Sequence, residues 1–196
     1  MSNVRVNGTE IHYEVRGTGP PVLLITLGLL IRHPDLTRGA ILHQPGVSAL
    51  LDNPEQAQNA LAALVTDGMD VGGPPAAMER YWRFVAGDAN RDGLEEGLRQ
   101  RMLSSAETFF GIEFPAAASL SHLLADDALA GISVPIQVLA SEQSPCFYVQ
   151  TAYRLARHLH VPVAQTPGTH TPYLDHPRDL TQVIRPFLRQ VSGVPA

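Results

Sequence analysis

Near the carboxyl end, Pro135-Ile136-Gln137-Val138-Leu139-Ala140 predicts a strand, and Tyr148, Ala152, Leu155, Ala156 and Leu159 predict one face of a helix. Residues 161–165 predict a second strand, which Pro162 demotes toward an edge because proline brings no N–H to a ladder. Leu180, Val183, Ile184, Phe187, Leu188 and Val191 then mark a closing amphipathic helix. Strands alternating with helices imply parallel pairing through helical crossovers, so the chain is predicted to be α/β with helices on the faces of its sheet.

The amino-terminal part adds strand signals of a different kind. Asn7-Gly8 lies between two β-rich arms, and a two-residue Asn-Gly turn favours a hairpin because both central residues take positive φ. After Gly17-Thr18-Gly19-Pro20-Pro21 comes Val22-Leu23-Leu24-Ile25, an apolar run of the kind buried on both faces of a parallel sheet. Thr26-Leu27-Gly28 leads at once into a short helix stopped near Pro34, and residues 39–43 form another short strand closed by Gln44-Pro45-Gly46. Residues 47–130 carry helical periodicity and no convincing strand. Ala57, Ala60, Leu61, Leu64 and Val65 form one apolar face; Met78, Tyr81, Trp82 and Val85 form another after Pro74-Pro75; Leu94, Leu98 and Met102 form a third.

Composition narrows the function. The chain has 196 residues, 44% hydrophobic content and a net charge of −5, enough apolar material for one core and too little clustered positive charge for nucleic acid. All fourteen basic residues are arginine, which excludes lysine Schiff-base chemistry. The single cysteine, Cys146, excludes an intrachain disulfide and fits a reducing cytoplasm. The longest apolar run falls well short of the roughly 20 residues that span a bilayer, and residues 1–20 lack a signal peptide's apolar stretch, so a soluble, cytoplasmic protein is expected. His158 and His160 lack further ligands for a metal, and no metal or other cofactor is expected.

The most informative segment is Thr166-Pro167-Gly168-Thr169-His170-Thr171-Pro172-Tyr173-Leu174-Asp175-His176-Pro177, a histidine loop just past the last strand. Loops at the carboxyl ends of parallel strands are where such proteins place reactive groups. Asp175 and His176 read as helix-start residues ahead of Pro177. Here the chain resembles the α/β-hydrolase family, whose catalytic histidine follows the last strand in a similar setting. The resemblance extends to the order of the other pieces: the hairpin, the 22–25 strand, the 39–43 strand, a helical cap at 47–130, and the two carboxyl-terminal strands. It implies one α/β-hydrolase-like domain over 1–196, with a reduced, mostly parallel sheet of about six strands, an N-terminal hairpin and a helical cap insertion.

The same resemblance implies His170 as the catalytic histidine. Glu142 is the carboxylate available to orient it, although by spacing Gln143 takes the acid's place equally well. The family's G-x-S-x-G nucleophile elbow and its oxyanion loop are absent, because residue 25 joins almost directly to the far half of the nucleophile helix. Thr26, at that junction, is the one hydroxyl in a nucleophile-like position; Cys146 follows the next-to-last strand, where a lone cysteine reads as a small hydrophobe. The expected function is therefore a relative of hydrolases of small ester or amide substrates, impaired in catalysis. The alternatives are a non-catalytic protein that binds a small apolar molecule or a partner through the cap pocket, and a non-functional truncated product. No membrane partner is expected, and exposed sheet edges favour homo-oligomers.

Overall fold

In the computed structural model, residues 2–6, 9–13, 27–115 and 126–193 are described. The expected six-stranded sheet is not formed. Strands β1 (Ser2–Val6) and β2 (Thr9–Tyr13) make a separate antiparallel pair, with Val6 opposite Thr9 and Ser2 opposite Tyr13. Strands β3 (Ala40–His43), β4 (Ile136–Ser141) and β5 (Val163–Thr166) make a three-stranded parallel sheet in the order β3-β4-β5. Among the described residues the hairpin satisfies its ladder with itself and shares no bond with β3, so the two sets of strands form separate sheets. The 22–25 run, expected to bridge them, and the Asn7-Gly8 turn lie outside the described residues.

Pattern explains each strand of the parallel sheet. Ala40, Leu42, Val138 and Ala140 point to one face, where they pack with Leu27 and Leu30 of α1 (Leu27–Arg32) and with Ala152, Leu155 and Ala156 of the later helix Cys146–His158. Ile41, His43, Gln137, Leu139 and Ser141 take the opposite face by the period of two. β5 starts only at Val163, because Pro162 has no N–H for the ladder.

Between β3 and β4 the described residues form helices joined by short turns, with no strand. Helix α2 (Pro54–Asp92) opens on Asn53, whose side chain accepts from the backbone N–H of Gln56, with Pro54 at the first helical position. It breaks at Gly72 and Gly73, the latter at φ 69°, a conformation open to glycine, just before Pro74-Pro75. A second break falls at Gly87. The first break folds the helix back on itself so closely that Gly68 lies against the backbone of Ala77. Then come α3 (Glu96–Ser104) and α4 (Ala106–Thr108), which runs into a π-turn over Phe109–Glu113. A small apolar core of Ala77, Met78, Ala106 and Phe110, flanked by Tyr81, Phe109 and Phe114, holds this block together.

The remaining helices are α5 (Asp126–Ala130), α6 (Cys146–His158), α7 (Pro172–Asp175) and α8 (Pro177–Ser192). α8 covers the second face of the sheet: Gly39 sits under Val191 and Phe187, and the Gln137 amide donates to the carbonyl of Val183. Among the described residues no helix is long and apolar enough to cross a membrane.

Candidate functional site

Parallel strands in register bring their carboxyl ends to one edge, and here each strand delivers one polar side chain to the same face there. His43 closes β3, Ser141 closes β4 and Thr166 closes β5. The three form a row: His43 Nε2 lies 2.9 Å from Ser141 Oγ, which lies 2.9 Å from Thr166 Oγ1. Ser141 and Thr166 are fully buried, whereas the His43 ring keeps some contact with solvent.

The histidine loop folds over this row. The His170 ring stacks on His43 at a centroid distance of 5.5 Å and on Tyr148 of α6 at 3.8 Å. Tyr148 in turn shares a hydrogen bond of 2.9 Å with Tyr81 of α2. The column of rings thus runs from the sheet to the helical block. The backbone N–H of His170 donates to the carbonyl of Val85, which fixes the loop to α2 directly. A latch lies beside it: Asp175 Oδ2 accepts from the Thr169 N–H, the Thr169 hydroxyl and the Asn90 amide, each at 2.8 Å.

His170 Nδ1 faces Gln44 Oε1 at 3.2 Å. The Gln44 amide is oriented by its other bonds, since Oε1 accepts from the Ser144 hydroxyl at 2.7 Å while Nε2 donates to the Ser141 carbonyl at 3.4 Å. An amide oxygen only accepts, so Nδ1 of His170 carries the proton and Nε2 keeps its lone pair. Gln44 itself is buried and sits at φ 40°, in the left-handed region that a non-glycine residue enters at a cost. That backbone turn swings the amide back from the end of β3 beneath the loop.

Burial sets the protonation of both rings. Removal from water holds His170 down at about 3, with the neighbouring His43 adding to the effect. His43 is likewise held down at about 4 by burial, against a smaller opposing pull from Asp175. Both imidazoles are therefore neutral at pH 7, and both are weak bases. Burial also raises the Tyr148 and Tyr81 hydroxyls.

The residues singled out from sequence fall in different places. Glu142 lies in the turn after β4, exposed, where its backbone N–H donates to Thr166; the hydrogen bond at His170 Nδ1 belongs to Gln44. Gln143 is also exposed, its N–H bonded to the Gly168 carbonyl. Cys146 is the exposed first residue of α6. Thr26 lies outside the described residues. His43, Gln44, Ser141 and Tyr148 were not singled out as site residues; only a position at a strand's carboxyl end on the non-core face could have flagged His43 and Ser141. One buried donor near the ring column stays unpaired, the indole N–H of Trp82. Among the described residues no group of three or more His, Cys, Asp or Glu side chains is placed to hold a metal ion.

Replacing the Gln44 amide by a carboxylate tests this geometry. Gln44→Glu would set a negative charge against Nδ1 and is expected to raise the His170 titration by roughly 1–3 units from its value near 3. Histidine ring NMR through a pH series reads this directly, and an unmoved His170 resonance would refute the contact. No protein-family model matches the chain, and no curated protein matches it.

Proposed function

We propose that this chain is a relative of the α/β hydrolases that no longer hydrolyses, and that His170 serves as a fixed hydrogen-bonding and packing group where the helical block meets the sheet. The observation that carries this reading is the partner of Nδ1. A catalytic histidine draws its basicity from a carboxylate that stabilises the imidazolium formed in the transition state. Gln44 offers an uncharged amide, and burial pushes the ring further from the protonated form. General-base catalysis works best with a pKa near the working pH, so a group near 3 transfers protons poorly.

Among the described residues the histidine also has no nucleophile within hydrogen-bond reach. Among the described residues no hydroxyl or thiol is hydrogen-bonded to His170 Nε2. Ser141, which does touch a histidine, is buried and already engaged with Thr166, so a substrate carbonyl has no approach to its Oγ. The exposed thiol of Cys146 agrees with a reducing, cytoplasmic setting.

Release of p-nitrophenol from p-nitrophenyl acetate tests the reading. Wild type and His170→Ala are expected to give the same slow background. Turnover that collapses in His170→Ala yet survives in Cys146→Ala would establish a working hydrolase and overturn the proposal.

A further inference from the structure

The outer face of α8 carries three arginines in one line. Arg178, Arg185 and Arg189 are all exposed and line a shallow groove with Gln182, Pro177 and Pro186. At about 100° per residue their directions fall within about 40° of one another, and at 1.5 Å per residue they stand about 10 Å and then about 6 Å apart along the axis. None has a carboxylate within ion-pair distance among the described residues, which is also true of Arg32, Arg38 and Arg101; what sets α8 apart is that three such side chains share one helix face, whereas Arg80, Arg83, Arg91, Arg99 and Arg154 are each paired. The single acid of α8, Asp179, is turned about 100° from Arg178 and faces the His176 ring. The apolar side of the helix is committed to the sheet, so the arginine side is its outward face.

We infer that this face docks an acidic segment of a partner protein, with carboxylates spaced to meet the three guanidinium groups. Guanidinium pairs with carboxylate in a two-pronged geometry, which gives a helical segment bearing Glu at i, i+4 and i+11, laid antiparallel, three matched contacts. The net charge of −5 disfavours a long polyanion, which the rest of the surface repels, while a short acidic segment need approach only this face.

The test uses a fluorescein-labelled alanine-based helical peptide carrying Glu at i, i+4 and i+11, followed by fluorescence anisotropy with the full chain. Binding is expected at about 50 mM salt, weakening toward about 300 mM, and weaker by roughly tenfold or more in R178E/R185E/R189E. The substitutions are at exposed positions; R178Q/R185Q/R189Q, which removes charge without reversing it, carries the test if the Glu version fails to fold by circular dichroism. Equal binding of a peptide with Gln in place of Glu, or no binding at all, overturns the proposal. Arginine-dependent binding of an oligothymidylate as tight as that of the Glu peptide overturns it in favour of a general polyanion face. A dimer that the arginine variants dissolve overturns it in favour of a second copy of this chain.

Discussion

Between pH 6.5 and pH 4 the protein is expected to lose about 3–4 kcal/mol of stability to two histidines. Unfolded, each imidazole takes a proton near 6.5; folded, His43 stays neutral down to about 4 and His170 to about 3. Over that interval the unfolded chain binds more protons than the folded one, so stability is full above pH 6.5 and falls as the pH drops toward the folded values. Each group contributes about 1.4 kcal/mol per pH unit, or about 7 kcal/mol for the pair at full strength. Both rings keep some contact with solvent, which halves the figure. Urea denaturation at pH 7, 5.5 and 4 measures it, and His43→Gln and His170→Gln should each flatten the profile. A stability that moves by less than about 1 kcal/mol across the range would show that the rings are not shielded as described.

The second large effect is expected at Gly68. An added Cβ there would stand 2.4 Å from the Cα of Ala77 and 2.7 Å from its backbone nitrogen. Alanine in a helix is favoured over glycine by up to about 1 kcal/mol, so propensity alone predicts that Gly68→Ala stabilises. The obstacle is backbone, which cannot rotate aside, and the folded-back limbs of α2 must separate instead. Overpacking of this kind costs about 1–3 kcal/mol and sometimes more, so after the propensity gain the net change is a loss of about 1–2 kcal/mol and about 3–6 °C in Tm. Gly111→Ala is the control, because nothing lies within 4 Å of its added Cβ. If thermal denaturation finds Gly68→Ala as stable as wild type, the close crossing at Ala77 is not present in solution.

Local chemistry made much of this architecture legible. An apolar run bounded by Pro135 and the polar Ser141-Glu142 turn gave β4, and the apolar faces of α6 and α8 gave two helices, because burial of one face imposes its period on the sequence. The helical reading after residue 47 followed from the same rule. What periodicity cannot convey is which polar groups converge from afar. Gln44 is 126 positions from His170, and its positive φ is not a preference of glutamine, so nothing local marks it as the histidine's partner. Tyr148 reads as one more apolar-face residue of α6, and its stacking on His170 depends on where the loop after β5 lands. The fold class departs from the expectation for a related reason: the hairpin forms as its turn predicts, but strand propensity does not specify which sheet a hairpin joins, and among the described residues β1-β2 stays apart from β3-β4-β5.

The register of the sheet has a consequence for how the molecule is made. β4 meets β5 across a short connection, Val138 opposite Val163, but meets β3 across a long one, Ala40 opposite Ile136. Closing the longer loop costs only about 1 kcal/mol more in chain entropy, since the penalty grows with the logarithm of length. The kinetic penalty is heavier, because distant pairings wait on everything between them. Topology therefore favours an order of events in which β4, α6 and β5 assemble first and β3 arrives last, drawn in once the intervening helices have shortened the chain. On that order the ring column over His43 is the final structure to form, and completes only when both ends of the chain's long excursion have come home.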